Sequence, residues 1–261
     1  MRSQVWSLAG IFVAWCAFAQ TNATEAAIVR RPGKIMAIAA HPGDALFTMG
    51  AAVAQHIHNG GTGIFLNLSL GEKGHRTIPP KEYGEMQRAA TEKAAKLLGA
   101  ETAFLTYPDA EIPRSEEAAL AVCDLIREHK PDIIVGHWSG SWHKDHQAAF
   151  LIVQDAIFYA GLGAIHRKLP AHEVRKLLFA DNWEDATNFQ PDVYLDITPV
   201  YERWVKACAL FPMWRGETGL IRYHDYYQSL AVMRGCLSRF QYAVALMSDP
   251  NQRVSQVRSL E

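Results

Sequence analysis

Ile35-Met36-Ala37-Ile38-Ala39-Ala40 runs without a polar residue and leads directly into His41-Pro42-Gly43-Asp44. A short, continuously apolar run predicts a strand covered on both faces, as in the interior of a parallel sheet. The imidazole and carboxylate that follow then fall where the chain leaves the sheet, at the strand's carboxyl end. The same arrangement recurs further along: the strand expected over Asp132–Val135 is followed by Trp142-His143-Lys144-Asp145-His146.

Working outward, strand and helix patterns alternate. Gly50–His58 reads as a helix stopped by Asn59-Gly60-Gly61, Ile64–Leu70 as a second strand, and Lys81–Leu98 as a helix ended by Gly99. Phe104–Tyr107 is a third strand, Ser115–His129 a helix with Ser115 as its cap, and Lys144–Tyr159 an apolar helix. Past Gly163 the pattern loosens. Leu177–Phe179 and Val193–Ile197 read as strands, Pro199–Leu210 as a helix, and Asp225–Leu246 as one long helix. The aromatic stretch between Phe211 and Tyr227 suits a packed loop or a flap, with packing the default for aromatics. The expected fold is α/β: a Rossmann-like, mostly parallel sheet flanked by helices, with an active site at the carboxyl ends of the strands. His41 and Asp44, Glu72, Asp109, and His143 to His146 follow the first four strands in turn, so every polar cluster falls on one edge.

The whole chain sets limits. Its 261 residues suit one large domain or a domain with an appendage, and with a net charge of −1 no polyanionic partner is implied. No Lys/Arg cluster interleaves with aromatics, which argues against nucleic acid. Arg2, the apolar run Val5–Phe18 and Ala17-Phe18-Ala19 before Gln20 have the form of an export signal. The run falls below the ~20 residues needed to span a bilayer, so no stable span is expected after signal removal. The division expected is a signal over 1–19, a linker over 20–32, the α/β domain over 33–250 and a tail over 251–261, with placement in the periplasm or outside the cell. Cys123, Cys208 and Cys236 would remain, too few for a disulfide framework; Cys123 and Cys208 read as buried free thiols. Asn67-Leu68-Ser69 matches a glycosylation triplet but sits inside a strand pattern.

Two strand ends that each offer imidazole and carboxylate suggest a divalent-metal site. Zinc takes neutral imidazole and carboxylate ligands, and its catalytic sites keep a position open. His41 and Asp44 lie three apart on one turn, and His146 supplies a third ligand, leaving His143 and Asp145 as supporting or catalytic groups.

At this point the sequence resembles the zinc-dependent de-N-acetylases named for N-acetylglucosaminyl-phosphatidylinositol deacetylase (PIG-L) and LmbE. Their pattern is A-H-P-D-D-E, G-E-x-G and H-x-D-H; here stand Ala40-His41-Pro42-Gly43-Asp44-Ala45, Gly71-Glu72-Lys73-Gly74 and His143-Lys144-Asp145-His146. Weaker echoes include Arg88, Tyr107-Pro108-Asp109, Asp196-Ile197-Thr198 and Arg234-Gly235. The resemblance implies His41, Asp44 and His146 as Zn2+ ligands. It implies His143 as the group that stabilises the oxyanion or protonates the leaving amine, Asp145 as the holder of that imidazole, and Glu72, Arg88 and Asp109 as residues facing the substrate. The implied activity is hydrolysis of a linear amide, releasing acetyl from an N-acetylated amino sugar or its conjugate. Gly43 departs from the pattern, because the family's aspartate at that point is the general base, whose loss typically costs about a hundredfold to ten-thousandfold. Glu72, His75, Asp145 and His143 are possible substitutes. The alternative is a non-catalytic metal- or carbohydrate-binding relative that lost its base. A dinucleotide-binding reading fails because the first strand is not followed by a glycine-rich turn.

Overall fold

The computed structural model describes residues 32–218 and 221–252. The segment expected as an export signal and most of the expected linker and tail lie outside these residues. The chain divides into residues 1–30 and a compact unit over residues 31–261, to which every strand and helix named here belongs.

The elements in order are β1 (Lys34–Ala39), α1 (Pro42–Phe47), α2 (Gly50–His58), β2 (Thr62–Ser69), α3 (Pro80–Leu98), β3 (Glu101–Tyr107), α4 (Glu116–His129) and β4 (Ile133–Gly136). Then come α5 (Lys144–Gly161), β5 (Lys176–Ala180), β6 (Val193–Asp196), α6 (Tyr201–Cys208), α7 (Tyr223–Ser238) and β7 (Ala243–Ser248). The sheet order is β3-β2-β1-β4-β5-β7-β6. The first five strands of that row pair in parallel, and β7 runs antiparallel to both β5 and β6. Strand order therefore reverses between β1 and β4, and the crevice beyond their carboxyl ends is where such sheets bind ligands.

One apolar layer packs Phe47, Phe65, Trp204 and Trp214 on one face of the sheet; the other packs Ile38, Leu66, Val122 and Ile152 on the opposite face. Successive residues of β1 enter alternate layers, which explains its uninterrupted apolar run. Asn67 is fully buried in β2, so its glycosylation triplet is inaccessible. Cys123 and Cys208 are buried free thiols and Cys236 is exposed. Among the described residues no helix is long and apolar enough to cross a membrane.

Two departures from expectation have physical causes. Asp225–Leu246 is not one helix: α7 ends with Arg239 in the left-handed region (φ 65°), and Ala243–Ser248 turns back as β7. Ala, Leu and Met favour helix locally, so pairing with β5 and β6 overrides propensity; Gly235, where a Cβ would meet Gln241 O at 2.7 Å, lets the chain fold back across the end of α7. The helix expected over Pro199–Leu210 opens instead with a 3-10 turn, Thr198–Val200, before α6.

Helix α4 starts where Ser115 Oγ accepts the Ala118 N–H at 3.3 Å. Near its other end the buried Arg127 donates to the carbonyls of Tyr159, Leu162 and Leu169 at 2.8, 2.9 and 3.0 Å. Those of Tyr159 and Leu162 terminate α5, the helix whose first turn carries His146. Arg127→Met leaves these buried acceptors unpaired and is expected to lower the unfolding free energy by about 3 kcal/mol. Ser115→Ala is expected to cost about 1 kcal/mol. Urea unfolding of the two variants checks the ranking.

Candidate metal centre and active-site cavity

β1 leaves the sheet at Ala39, and α1 begins with Pro42, which suits the first helical position because its missing N–H has no partner to lose. This tight passage puts His41 before the helix and Asp44 in its first turn. Gly71, after β2, has φ +61°, and a Cβ there would lie 3.4 Å from His41 Cβ, so glycine lets this loop pass close to His41. The β4–α5 loop supplies His143 as N-cap, its Nδ1 accepting the Asp145 N–H at 3.2 Å.

Three side chains converge at the switch point. Asp44 Oδ2 is 3.0 Å from His41 Nδ1 and 3.1 Å from His146 Nε2. One donor atom from each of the three lies within 4.8 Å of the others, close enough to share an ion. The far nitrogen of each imidazole is held by carboxylate. His41 Nε2 lies 3.1 Å from Asp109 Oδ1 and 3.3 Å from Asp145 Oδ2, and His146 Nδ1 lies 2.8 Å from Asp185 Oδ1. Carboxylates behind ligating imidazoles fix the ring and raise its basicity, so this donor set fits a divalent cation. Asp185 also takes the Nδ1–H of buried His137 at 2.8 Å, whose Nε2 accepts the Ala40 N–H at 3.1 Å.

Electrostatics agree. Burial opposes charge on His41, yet hydrogen bonds to Asp109, Asp145 and Asp44 raise its pKa well above the usual value. Burial likewise opposes charge on His146, but Asp44 and Asp185 push it up to about 10. Asp44 is held well below the carboxylate range by His146 and His41, against its burial. Such a surplus of carboxylates around two imidazoles is the environment a cation neutralises.

The cavity over this cluster has a volume of about 250 Å³ and is lined by His41, Asp44, Asp109, His143, Glu184 and Trp142 among others. Among the described residues, no lysine or arginine lines it. Burial, with His41 and His146 alongside, pushes His143 down to about 4. At neutral pH its Nδ1 is an acceptor, so the proton sits on Nε2. Burial and the Asp44 carboxylate push Glu184 up to about 7, and its Oε2 lies 3.4 Å from His146 Nε2.

The expected site residues are partly brought together. His41, Asp44, His143, Asp145, His146 and Asp109 meet at the cluster. The Asp145 carboxylate does not hold His143, however. It faces His41 and accepts from the Ala110 and Ile112 N–H groups at 2.6 and 3.4 Å, while its backbone N–H engages His143. Glu72 stands behind Asp109, accepting its N–H at 2.8 Å, and is not on the cavity wall. Arg88 points elsewhere: its guanidinium lies over Phe104, 4.5 Å from the ring centroid, with Glu85 at 3.7 Å. One residue earlier on α3, Gln87 reaches the wall instead, with its Oε1 buried and without a protein partner among the described residues. His75 Nδ1 accepts the Thr77 and Ile78 N–H groups at 3.2 and 3.0 Å and does not line the cavity.

Sequence reasoning missed Asn182-Trp183-Glu184-Asp185. The available signal was position: these residues follow β5, at the same sheet edge as the other clusters. Asn182 Nδ2 also donates to Asp44 Oδ1 at 3.3 Å. The aromatic stretch combines packing and cover. Phe211 and Trp214 are buried against Phe47, while Met213 and Tyr223 line the cavity. Gly43 also faces it, and a Cβ there would lie 3.1 Å from Met213 Sδ and 3.3 Å from Phe47 Cε2.

Comparison with known proteins agrees with the motifs. The chain is 26% identical over 211 residues to a 4-oxalmesaconate hydratase of Pseudomonas putida, covering 77% of this chain and 79% of that one. Among solved structures, 4-carboxy-2-hydroxymuconate hydratase from Pseudomonas putida superposes with a TM-score of 0.77 at 21% identity, covering 87% of this chain and 100% of that one. N,N'-diacetylchitobiose deacetylase from Pyrococcus horikoshii gives a TM-score of 0.72 at 20% identity, covering 83% of this chain and 84% of that one. At such identities the two structures speak for the fold. In sequence, residues 36–157, from β1 into α5, match the family model described as PIG-L, GlcNAc-PI de-N-acetylase.

Proposed function

We propose that this protein is an exported, Zn2+-dependent hydrolase that removes acetyl from an N-acetylated amino sugar or its conjugate. The observation that carries this reading is the convergence of His41 Nδ1 and His146 Nε2 on Asp44 Oδ2, beneath a cavity that also presents His143. His41, Asp44 and His146 would hold the ion, with Asp109, Asp145 and Asp185 fixing the two rings. When bound, the cation supplies Lewis-acid polarisation of the amide carbonyl and acidifies water.

The remaining steps belong to the chain. Glu184 Oε2 stands beside the ligand cluster; it takes the proton of the attacking water, the task Gly43 cannot perform, and returns it to the amine nitrogen as the C–N bond breaks. A base whose pKa lies near the working pH combines the right protonation state with driving force. The His143 Nε2–H donates to the oxygen on which negative charge develops, as a preorganised donor should. Gln87 and Asp109 offer acceptors to the substrate's N–H and hydroxyl groups. The wall's carboxylates favour a neutral amide and its ammonium product.

A second reading, hydration of an unsaturated acid, is favoured by the sequence similarity to the Pseudomonas hydratase. It is opposed by a wall with Asp44, Asp109 and Glu184 and no lysine or arginine among the described residues, which would repel a substrate bearing several carboxylates. Acetate release across a panel of N-acetyl sugars, run beside loss of absorbance from conjugated acids, separates the two. Inactivity on every N-acetyl substrate would sink the deacetylase, and inactivity on the conjugated acids as well would leave a non-catalytic binder.

Metal analysis should find a single Zn2+ per chain, and His146→Ala should lose it. Chelation should abolish acetate release, and added Zn2+ should restore it. Because the imidazoles must shed protons to bind, metal affinity should fall as pH falls.

A carboxylate base works only when deprotonated, so kcat should rise with pH along a limb at or below about 7, where a bound cation lowers the Glu184 value. Glu184→Gln should remove that limb and cost about a hundredfold to ten-thousandfold in kcat with zinc retained. Gly43→Asp should give no gain, since Met213 and Phe47 crowd the position. A gain of orders of magnitude there would show that no substitute base exists.

Export is proposed from Arg2, the apolar run to Phe18 and Ala17-Phe18-Ala19. The mature protein should begin near Gln20, and N-terminal sequencing from the native host checks it. An intact Met1 on cytoplasmic protein would refute it.

A further inference from the structure

We propose that Trp142, braced edge-to-face by Trp183, forms a ring-stacking subsite at the cavity rim, taking a second sugar ring bonded to the N-acetylated one. This rests on the deacetylase reading and narrows its substrate class to disaccharides and larger glycoconjugates.

Trp142 is 66% exposed, the most exposed of the large apolar side chains among the described residues, yet it lines the cavity. Water contact over so large an apolar surface is unfavourable, and the local structure maintains it. Trp142 N–H donates to Glu184 O at 3.2 Å, Thr187 N–H to Gly140 O at 3.1 Å, and the Trp138 indole N–H to Thr187 O at 2.9 Å. The loops after β4 and β5 are thus zipped together. The approach is so close that a Cβ at Gly140 would meet Thr187 O at 1.8 Å, so only glycine fits. This zipper sets Trp142 edge-to-face on Trp183, with ring centroids 5.7 Å apart, and beside His143 at 5.8 Å.

Size points to what such a platform receives. A cavity of about 250 Å³ falls below the usual range for ligand pockets of roughly 300–1,000 Å³ and suits one N-acetylated ring. Anything bonded to that ring must leave over the rim, where the adjacent wall is an indole. Indole offers a broad apolar face with a polar N–H at its edge, matching the C–H face and hydroxyl rim of a pyranose. The exposed indole is therefore a binding surface for the portion of the substrate beyond the reacting ring, positioned next to the catalytic imidazole.

The test compares N-acetylglucosamine with N,N'-diacetylchitobiose on the full-length protein and its Trp142→Ala and Trp142→Phe variants. Acetate release gives KM and kcat, and calorimetry gives disaccharide binding. Wild type should prefer the disaccharide through KM. Trp142→Ala should raise the disaccharide KM by about tenfold, several times more than the monosaccharide KM, with kcat falling less than KM rises. Calorimetric affinity should weaken in parallel, and Trp142→Phe should recover most of it. Equal KM values for the two sugars in wild type, or equal effects of Trp142→Ala on both, would overturn the subsite while the deacetylase stands. Disaccharide binding that needs Trp142 without any acetate release would keep the subsite and sink the deacetylase. Neither binding nor release overturns both.

Discussion

Asp44 Oδ2, between His41 Nδ1 and His146 Nε2, is the contact around which this molecule is arranged. Bringing the three together requires β1 and β4 to be neighbours although a whole crossover sequence separates them. Each ring then has to turn the correct nitrogen inward. The carboxylates behind the rings enforce that: Asp109 and Asp145 for His41, and Asp185 for His146. Asp185 reaches further, because its second oxygen holds His137, whose other nitrogen accepts the Ala40 N–H. One buried carboxylate thereby couples the loop after β5, the end of β4 and the last turn of chain before His41. So many carboxylates in a low-dielectric crevice would repel one another unless cationic charge offsets them. The cluster is best understood as built around a positive ion.

Gly43 stands where the resembling family has an aspartate. Met213 and Phe47 close in on Gly43, so the position is packed against the aromatic cover. A carboxylate stands instead at Glu184, where burial and the Asp44 charge push it up to about 7. In the proposed mechanism the proton acceptor has moved from the loop after β1 to the loop after β5. That relocation keeps a base within reach of the cluster and joins it, through the Trp142 N–H to Glu184 O bond, to the loop bearing His143.

Much of this was legible in the chain. The apolar run of β1 reads as a strand buried on both faces, and the alternation to α5 predicts a parallel sheet with its polar clusters on one edge. His41, Asp44, His143 and His146 could be named as candidates because ligand chemistry restricts residue type and strand ends restrict position. The weak echoes proved to be local devices as well: Asp196 Oδ1 accepts the Thr198 N–H at 2.9 Å, and Arg234 pairs with Asp181 at 2.6 Å.

Sequence alone determined the fold class, the binding edge and the candidate ligands, since hydrophobic period, turn residues and donor chemistry are properties of the residues themselves. Tertiary structure decided the rest, because long-range pairing has no local signature. It ended α7 at Arg239 and made Ala243–Ser248 a strand by pairing it on both sides. It turned Asp145 towards His41 rather than His143, sent Arg88 onto Phe104, and brought Glu184 to the cluster from the far side of the switch point. Each outcome depends on which chain segment arrives at a given place, and only packing fixes that.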